Sequence, residues 1–155
     1  MKKITFLFLL FSALAFSQSL KPTLGGRYTG GLSYDFEHEY FSGQIGLLYE
    51  LKNEKTFAML SAEYTYDYAK EYDRRDENFY IIRLQGSQKV SEIIAFTGYV
   101  GYFDGFKINM KNNFAWGIGI QGMDENFIAE ILYENICGFP HVSLGVNFPL
   151  WNLIK

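Results

Sequence analysis

Eight stretches of the chain alternate apolar and polar residues with a period of two: 26 to 36, 41 to 51, 57 to 67, 79 to 87, 93 to 103, 113 to 121, 127 to 135 and 142 to 150. Successive side chains of a β-strand point to opposite faces, so this pattern builds strands with one apolar and one polar side. Each stretch has 9 to 11 residues. A tilted strand needs about 9–11 residues to cross a bilayer, whereas a strand of a globular protein usually has about 5–6. Turn-like breaks separate the stretches, which predicts an all-β fold, an eight-stranded antiparallel up-and-down transmembrane β-barrel.

The two faces differ in kind. In the first stretch Tyr28, Leu32, Tyr34 and Phe36 share a face with Gly26 and Gly30, and Arg27, Thr29, Gly31, Ser33 and Asp35 take the other. The last sets Val142, Leu144, Val146, Phe148 and Leu150 against Ser143, Gly145 and Asn147. The fifth is apolar on both sides, and Ile94, Phe96, Val100 and Tyr102 are assigned outward. In the other seven stretches the apolar faces carry no charge. The polar faces carry Arg27, Asp35, Glu50, Glu63, Asp67, Arg83, Glu130 and Glu134 but no lysine, the residue that commonly guards water-facing strands. Lysine is confined to turns, loops and termini. Such a face suits the polar interior of a narrow barrel whose apolar side meets lipid. Eight strands enclose a lumen that side chains can fill, so an open porin is not expected.

Composition narrows the class further. Of 155 residues 48% are hydrophobic, which excludes disorder, and the single cysteine, Cys137, excludes a disulfide scaffold. A net charge of -3 lacks the basic excess of a nucleic-acid binder. Lys2 and Lys3, the apolar run 4 to 16 and Ala15-Phe16-Ser17 read as a secretory signal, residues 1–17, cut before Gln18. Its removal takes two lysines and moves the charge from -3 to -5. Residues 18–23 are then a short periplasmic tail, 24–151 the barrel and 152–155 a C-terminal tail. Pro22, Pro140 and Pro149 are expected to flank or end strands, where a missing N–H costs no ladder bond.

Loop lengths and aromatics agree. With the N-terminus in the periplasm, the inner turns 52–56, 88–92 and 122–126 are short, and two outer loops, 68–78 and 104–112, are longer. Tyr34, Tyr66 and Trp116 fall toward the outer strand ends, and Tyr28, Tyr49, Phe148 and Trp151 toward the inner ones, which predicts two aromatic girdles at the lipid interfaces. The pattern over residues 24 to 151 resembles the small outer-membrane barrels of the OmpA transmembrane-domain and OmpX type. That resemblance implies a place in the cell outer membrane, among outer-membrane lipids and lipopolysaccharide, and a structural or adhesive role through the outer loops. Ser143 to Leu150 is similar to the polar-x-Gly-x-x-aromatic-x-hydrophobic signal that the barrel-assembly machinery reads in a final strand.

Candidate sites are few. If Phe36 opposes Phe41, Arg27 lies opposite Glu50, and if Asp67 opposes Phe79, Glu63 lies opposite Arg83, which predicts two interior Arg–Glu pairs. His141, Ser143 and Glu134 resemble the His-x-Ser pair with glutamate of an eight-stranded lipid A deacylase family. This implies Ser143 as nucleophile, His141 as base and Glu134 as its orienter. His38 between Glu37 and Glu39 and Cys137 read as solvated loop residues, and the mixed-charge loop 68–78 as a solvated hairpin tip or a lipopolysaccharide and divalent-cation contact. No cofactor or metal is expected. Two further readings remain open: the lipid-modifying enzyme, and a soluble periplasmic lipocalin-like barrel with its faces reversed.

Overall fold

The computed structural model describes residues 17–31, 39–51, 53–67, 79–105, 113–136 and 138–151. Tyr34, His38, the 68–78 loop, Cys137 and the signal segment up to residue 16 lie outside them. Eight strands follow one another: β1 (Ser17–Gly31), β2 (Glu39–Leu51), β3 (Thr56–Asp67), β4 (Phe79–Lys89), β5 (Ile94–Gly105), β6 (Phe114–Met123), β7 (Ile128–Ile136) and β8 (Phe139–Pro149). Each pairs antiparallel with its sequence neighbours, and β8 pairs with β1 to close the barrel. Closure leaves no sheet edge, the condition for strands to lie in hydrocarbon.

Following the ladder from Leu20 through Tyr49, Ala58, Gly86, Gly98, Ile118, Tyr133 and Val142 leads back to β1 at Gly30, ten residues farther along. This stagger accompanies strand tilts of roughly 35–45°.

The three short turns share one device. Asn53 Oδ1 accepts the N–H groups of Lys55 and Thr56 at 3.1 and 2.9 Å, Ser91 Oγ accepts that of Ile94 at 3.1 Å, and Asp124 Oδ1 that of Asn126 at 3.2 Å. In each, a short polar side chain holds the backbone in a bend. At the opposite end, the β7–β8 turn places Gly138 at φ 97°, where a side chain would strain the backbone. Asn135 Oδ1 accepts its N–H at 2.9 Å. We call the two ends of the barrel the turn end and the loop end.

The polarity is inside out. Outward positions in the strand middles expose large apolar side chains, among them Ile45, Leu84, Phe96, Ile118 and Ile131, each about half or more exposed. Lumen positions are buried and hold Arg27, Glu63, Arg83, Glu130 and Glu134. The soluble barrel with reversed faces is therefore ruled out. Ile94, Phe96, Val100 and Tyr102 all face outward, with Ala95, Thr97, Tyr99 and Phe103 buried inside, which settles the one strand that is apolar on both sides.

Four expectations need correction. Residues 18–23 are not a tail: they form the first part of β1, paired with β2. Pro22 thus lies within a strand, paired with Leu47 of β2, and its carbonyl accepts the N–H of Leu150 at 2.8 Å just beyond the last ladder pair of β1 with β8, Thr23–Pro149. Pro140 is likewise inside β8, near its start. Because Tyr28 pairs with Phe41 near the start of β2, it lies toward the loop end, where the two rings meet at 5.1 Å, and not at the turn end. Finally, the lumen is polar only in its middle. Tyr40, Phe79, Ile81, Phe103 and Ile136 cluster toward the loop end, and Leu48, Phe57, Met59 and Ile128 toward the turn end.

Candidate functional site

Between these two apolar clusters lies the charged centre of the molecule. Arg27 on β1 reaches three carboxylates: Glu134 through Nη1 at 2.9 Å, Glu130 through Nη2, and Glu63 through Nε at 3.5 Å. Arg83 on β4 meets Glu63 at 2.9 Å and Glu134 at 3.2 Å, and its guanidinium stacks 4.2 Å from the centroid of the Tyr99 ring. Tyr99 Oη donates to Glu134 at 2.6 Å. Gln85 and Gln121 donate to Glu130 at 2.8 and 3.0 Å, and Ser42 donates to Glu63. Three carboxylates and two guanidiniums thus neutralise one another to within one charge. Buried ions need this pairing, since desolvation of a lone one is prohibitive.

Glycines make these contacts geometrically possible. Arg27 and Glu130 lie on strands separated by β8, and the residue between them in the ladder is Gly145. A Cβ at Gly145 would stand 2.9 Å from Glu130 Oε1 and 3.0 Å from its Cγ. The same arrangement recurs at Tyr99 and Glu134, which flank Gly117, where a Cβ would sit 2.4 Å from the tyrosine ring. A missing side chain on the middle strand lets its neighbours reach across it. In a lumen this narrow, that is how long side chains interlock without clashing.

The sequence-derived pairs fare differently. Glu63 and Arg83 are in contact, although the ladder sets Arg83 opposite Ser61 and Glu63 opposite Ile81. Arg27 and Glu50 are not brought together. Arg27 lies opposite Ser42, and Glu50 lies opposite Ser19, whose hydroxyl donates to it at 2.8 Å. The cause is the register of the first hairpin, in which Gly30 pairs with Glu39, eight residues from the Phe36–Phe41 pairing. Tyr99, Gln85 and Gln121 were not singled out from sequence. Their inward parity, alternating with outward apolar neighbours, is the signal that marks them.

Glu134, His141 and Ser143 are all wholly buried and face the lumen, with Glu134 opposite His141 in the ladder. Ser143 Oγ donates to Glu134 directly and accepts from Arg27 Nη1 at 3.1 Å. The serine proton is thus held by the carboxylate and not by the imidazole, whereas a nucleophile–base–orienter relay needs the histidine between them. Among the interface aromatics, Tyr49, Phe148 and Trp151 lie at the turn end, and Trp116 lies toward the loop end, 6.1 Å from Tyr133. Tyr66 pairs with Phe41 in the ladder, also toward the loop end. At the turn-end mouth a recess of about 340 Å³ has Phe57 and Ile128 at its floor, with Lys21, Lys89, Glu50 and Glu92 among its charged rim. No group of histidine, cysteine or carboxylate side chains able to hold a metal occurs among the described residues.

No protein-family model matches the chain, and no curated protein matches its sequence. Solved structures do match its shape. The crystal structure of Neisserial surface protein A superposes with a TM-score of 0.55 at 10% identity, over 84% of this chain and 97% of that one. The solution NMR structure of the de novo designed barrel TMB2.3 gives a TM-score of 0.56 at 16% identity, over 86% and 98%. A second set of designed transmembrane β-barrels gives 0.54 at 15% identity, over 86% and 97%. At such identities what is shared is the architecture. The chain therefore folds as a small eight-stranded transmembrane β-barrel, the architecture implied by its resemblance to the OmpA transmembrane-domain and OmpX barrels.

Proposed function

We propose that the protein is a small outer-membrane barrel of a Gram-negative envelope, a rigid anchor whose loops act outside the cell through contacts with lipopolysaccharide or a surface partner. One observation carries this reading: the outside of the barrel is apolar, while the lumen is filled by a neutralised charge cluster between two apolar plugs. A filled lumen does not serve diffusion. The exposed apolar surface far exceeds the few hundred Å² a soluble monomer tolerates. In this reading residues 1–17 direct export and are removed, the barrel-assembly machinery inserts the chain, and the turn end faces the periplasm. The hydroxyl of Ser143, committed to Glu134 inside the lumen, favours the non-enzymatic role. Two measurements test the proposal. The protein should fractionate with the outer membrane, need detergent for extraction and migrate differently on a denaturing gel before and after boiling; recovery in the soluble periplasmic fraction refutes it. Ser143→Ala should leave lipid A acylation unchanged, and a changed pattern would restore the deacylase reading.

A further inference from the structure

The glycine bridge occurs a third time, and there it is incomplete. Gln44 on β2 and Asn147 on β8 flank Gly25 on β1 in the ladder, as Arg27 and Glu130 flank Gly145. Both amides point into the lumen and are buried, at 1% and 0% exposure. A Cβ at Gly25 would lie 2.2 Å from Asn147 Oδ1, so the asparagine leans over the glycine toward Gln44. Yet none of the four polar atoms of the two amides has a hydrogen-bond partner, and neither has the hydroxyl of Ser61, diagonally beside Gln44 on β3. On the facing wall the amide donors are satisfied: Gln85 donates to Thr97 and Glu130, and Gln121 donates to Glu130, which leaves only their carbonyl oxygens without a partner.

An amide presents both a donor and an acceptor, and burying either unpaired is costly enough that native proteins almost always supply a partner. A metal cation would satisfy the oxygens and repel the NH₂ groups, and the nearby Arg27 and Arg83 add to that repulsion. A small uncharged molecule that both donates and accepts satisfies both ends. We propose that the Gln44–Gly25–Asn147 bridge is a water-binding site, completed by water that joins the two amides. The site lies between the apolar clusters toward either end of the lumen.

The test is NMR of the folded barrel in lipid nanodiscs, reading magnetisation transfer between water and the side-chain NH₂ protons of Gln44 and Asn147. Both should show the cross-peaks of a water bound for longer than a nanosecond, while the NH₂ of Gln85 should show none. Gln44→Met, close in shape but unable to hydrogen-bond, should remove the cross-peak at Asn147 as well, because one bridge serves both. Absence of water cross-peaks from the wild-type amides, or a direct amide-to-amide hydrogen bond, overturns the proposal. So does a cross-peak at Asn147 that survives Gln44→Met. The wild-type measurement stands even where the variant fails to fold.

Discussion

The two faces of the same eight strands obey different rules. Outside, Ile45, Leu84, Ile118 and Ile131 meet a fluid solvent, and one aliphatic residue serves nearly as well as another. Inside, every position is defined by its neighbours: Arg27 has three carboxylates, Glu130 has two glutamines, and glycines stand where partners must cross. The outer face is thus specified by composition and the inner face by identity. Substitutions that move a residue type from one regime to the other are the way to break the comparison.

The largest effect belongs to Arg27→Met. The variant keeps much of the volume but leaves Glu63, Glu130 and Glu134 facing one another with Arg83 as the sole cation in the cluster. Removing one partner of a buried ion cluster costs about 3–5 kcal/mol. Denaturant titration of the barrel refolded in detergent, followed by gel mobility, should show the midpoint falling accordingly. A loss below about 1 kcal/mol, the range of an exposed pair, would mean that the cluster is solvated and the inner face no more particular than the outer.

Next in size is Ile118→Arg, which places a charge on the lipid face in the middle of β6. In a bilayer such a substitution costs about 2–4 kcal/mol at the midplane and little near the interface. Titration in phospholipid vesicles should show that loss. The same charge at Phe148, near the end of β8, should cost less. Equal losses at the two sites would break the assignment of Ile118 to the centre of the membrane.

The comparison also explains what was legible in the sequence. Face parity depends only on alternation, so the inward set of β4, with Arg83 and Gln85, could be read directly, whereas β5, apolar on both sides, carried no such contrast. Register depends on where each hairpin turns, and a loop of uncertain length leaves it free. The first hairpin was displaced by eight residues and the β3–β4 pairing by two, both even numbers, so every face survived while Arg27 acquired entirely different partners. Glu63 still finds Arg83 because long side chains span a two-residue diagonal, whereas none spans eight residues. The contacts of Arg27 with Glu130 and Glu134 were beyond reach for a second reason: they cross β8, and a hairpin argument considers only adjacent strands. The apolar plugs were hidden because Phe57, Met59 and Phe79 sit on the polar faces near strand ends, where alternation alone marks them as inward but not as a cluster.

The finest contrast sets one glycine against another. Gly145 lies on the inner face, and a methyl group there would press on Glu130 at 2.9–3.0 Å, in a centre already filled by Arg27 and the two glutamines. Gly86 lies on the outer face of β4, where a methyl group would have nothing within 4 Å. Overpacking a filled core costs about 1–3 kcal/mol, so Gly145→Ala should lower the unfolding midpoint even though alanine is the better strand former. Gly86→Ala meets no such opposition. It restricts the unfolded chain and adds a methyl group to the lipid face, and should leave stability unchanged or raise it by up to about 1 kcal/mol. The same chemical change thus carries opposite signs on the two faces of one barrel. If both variants shift the midpoint in the same direction, glycine acts here through strand propensity and not by making room for its neighbours to cross.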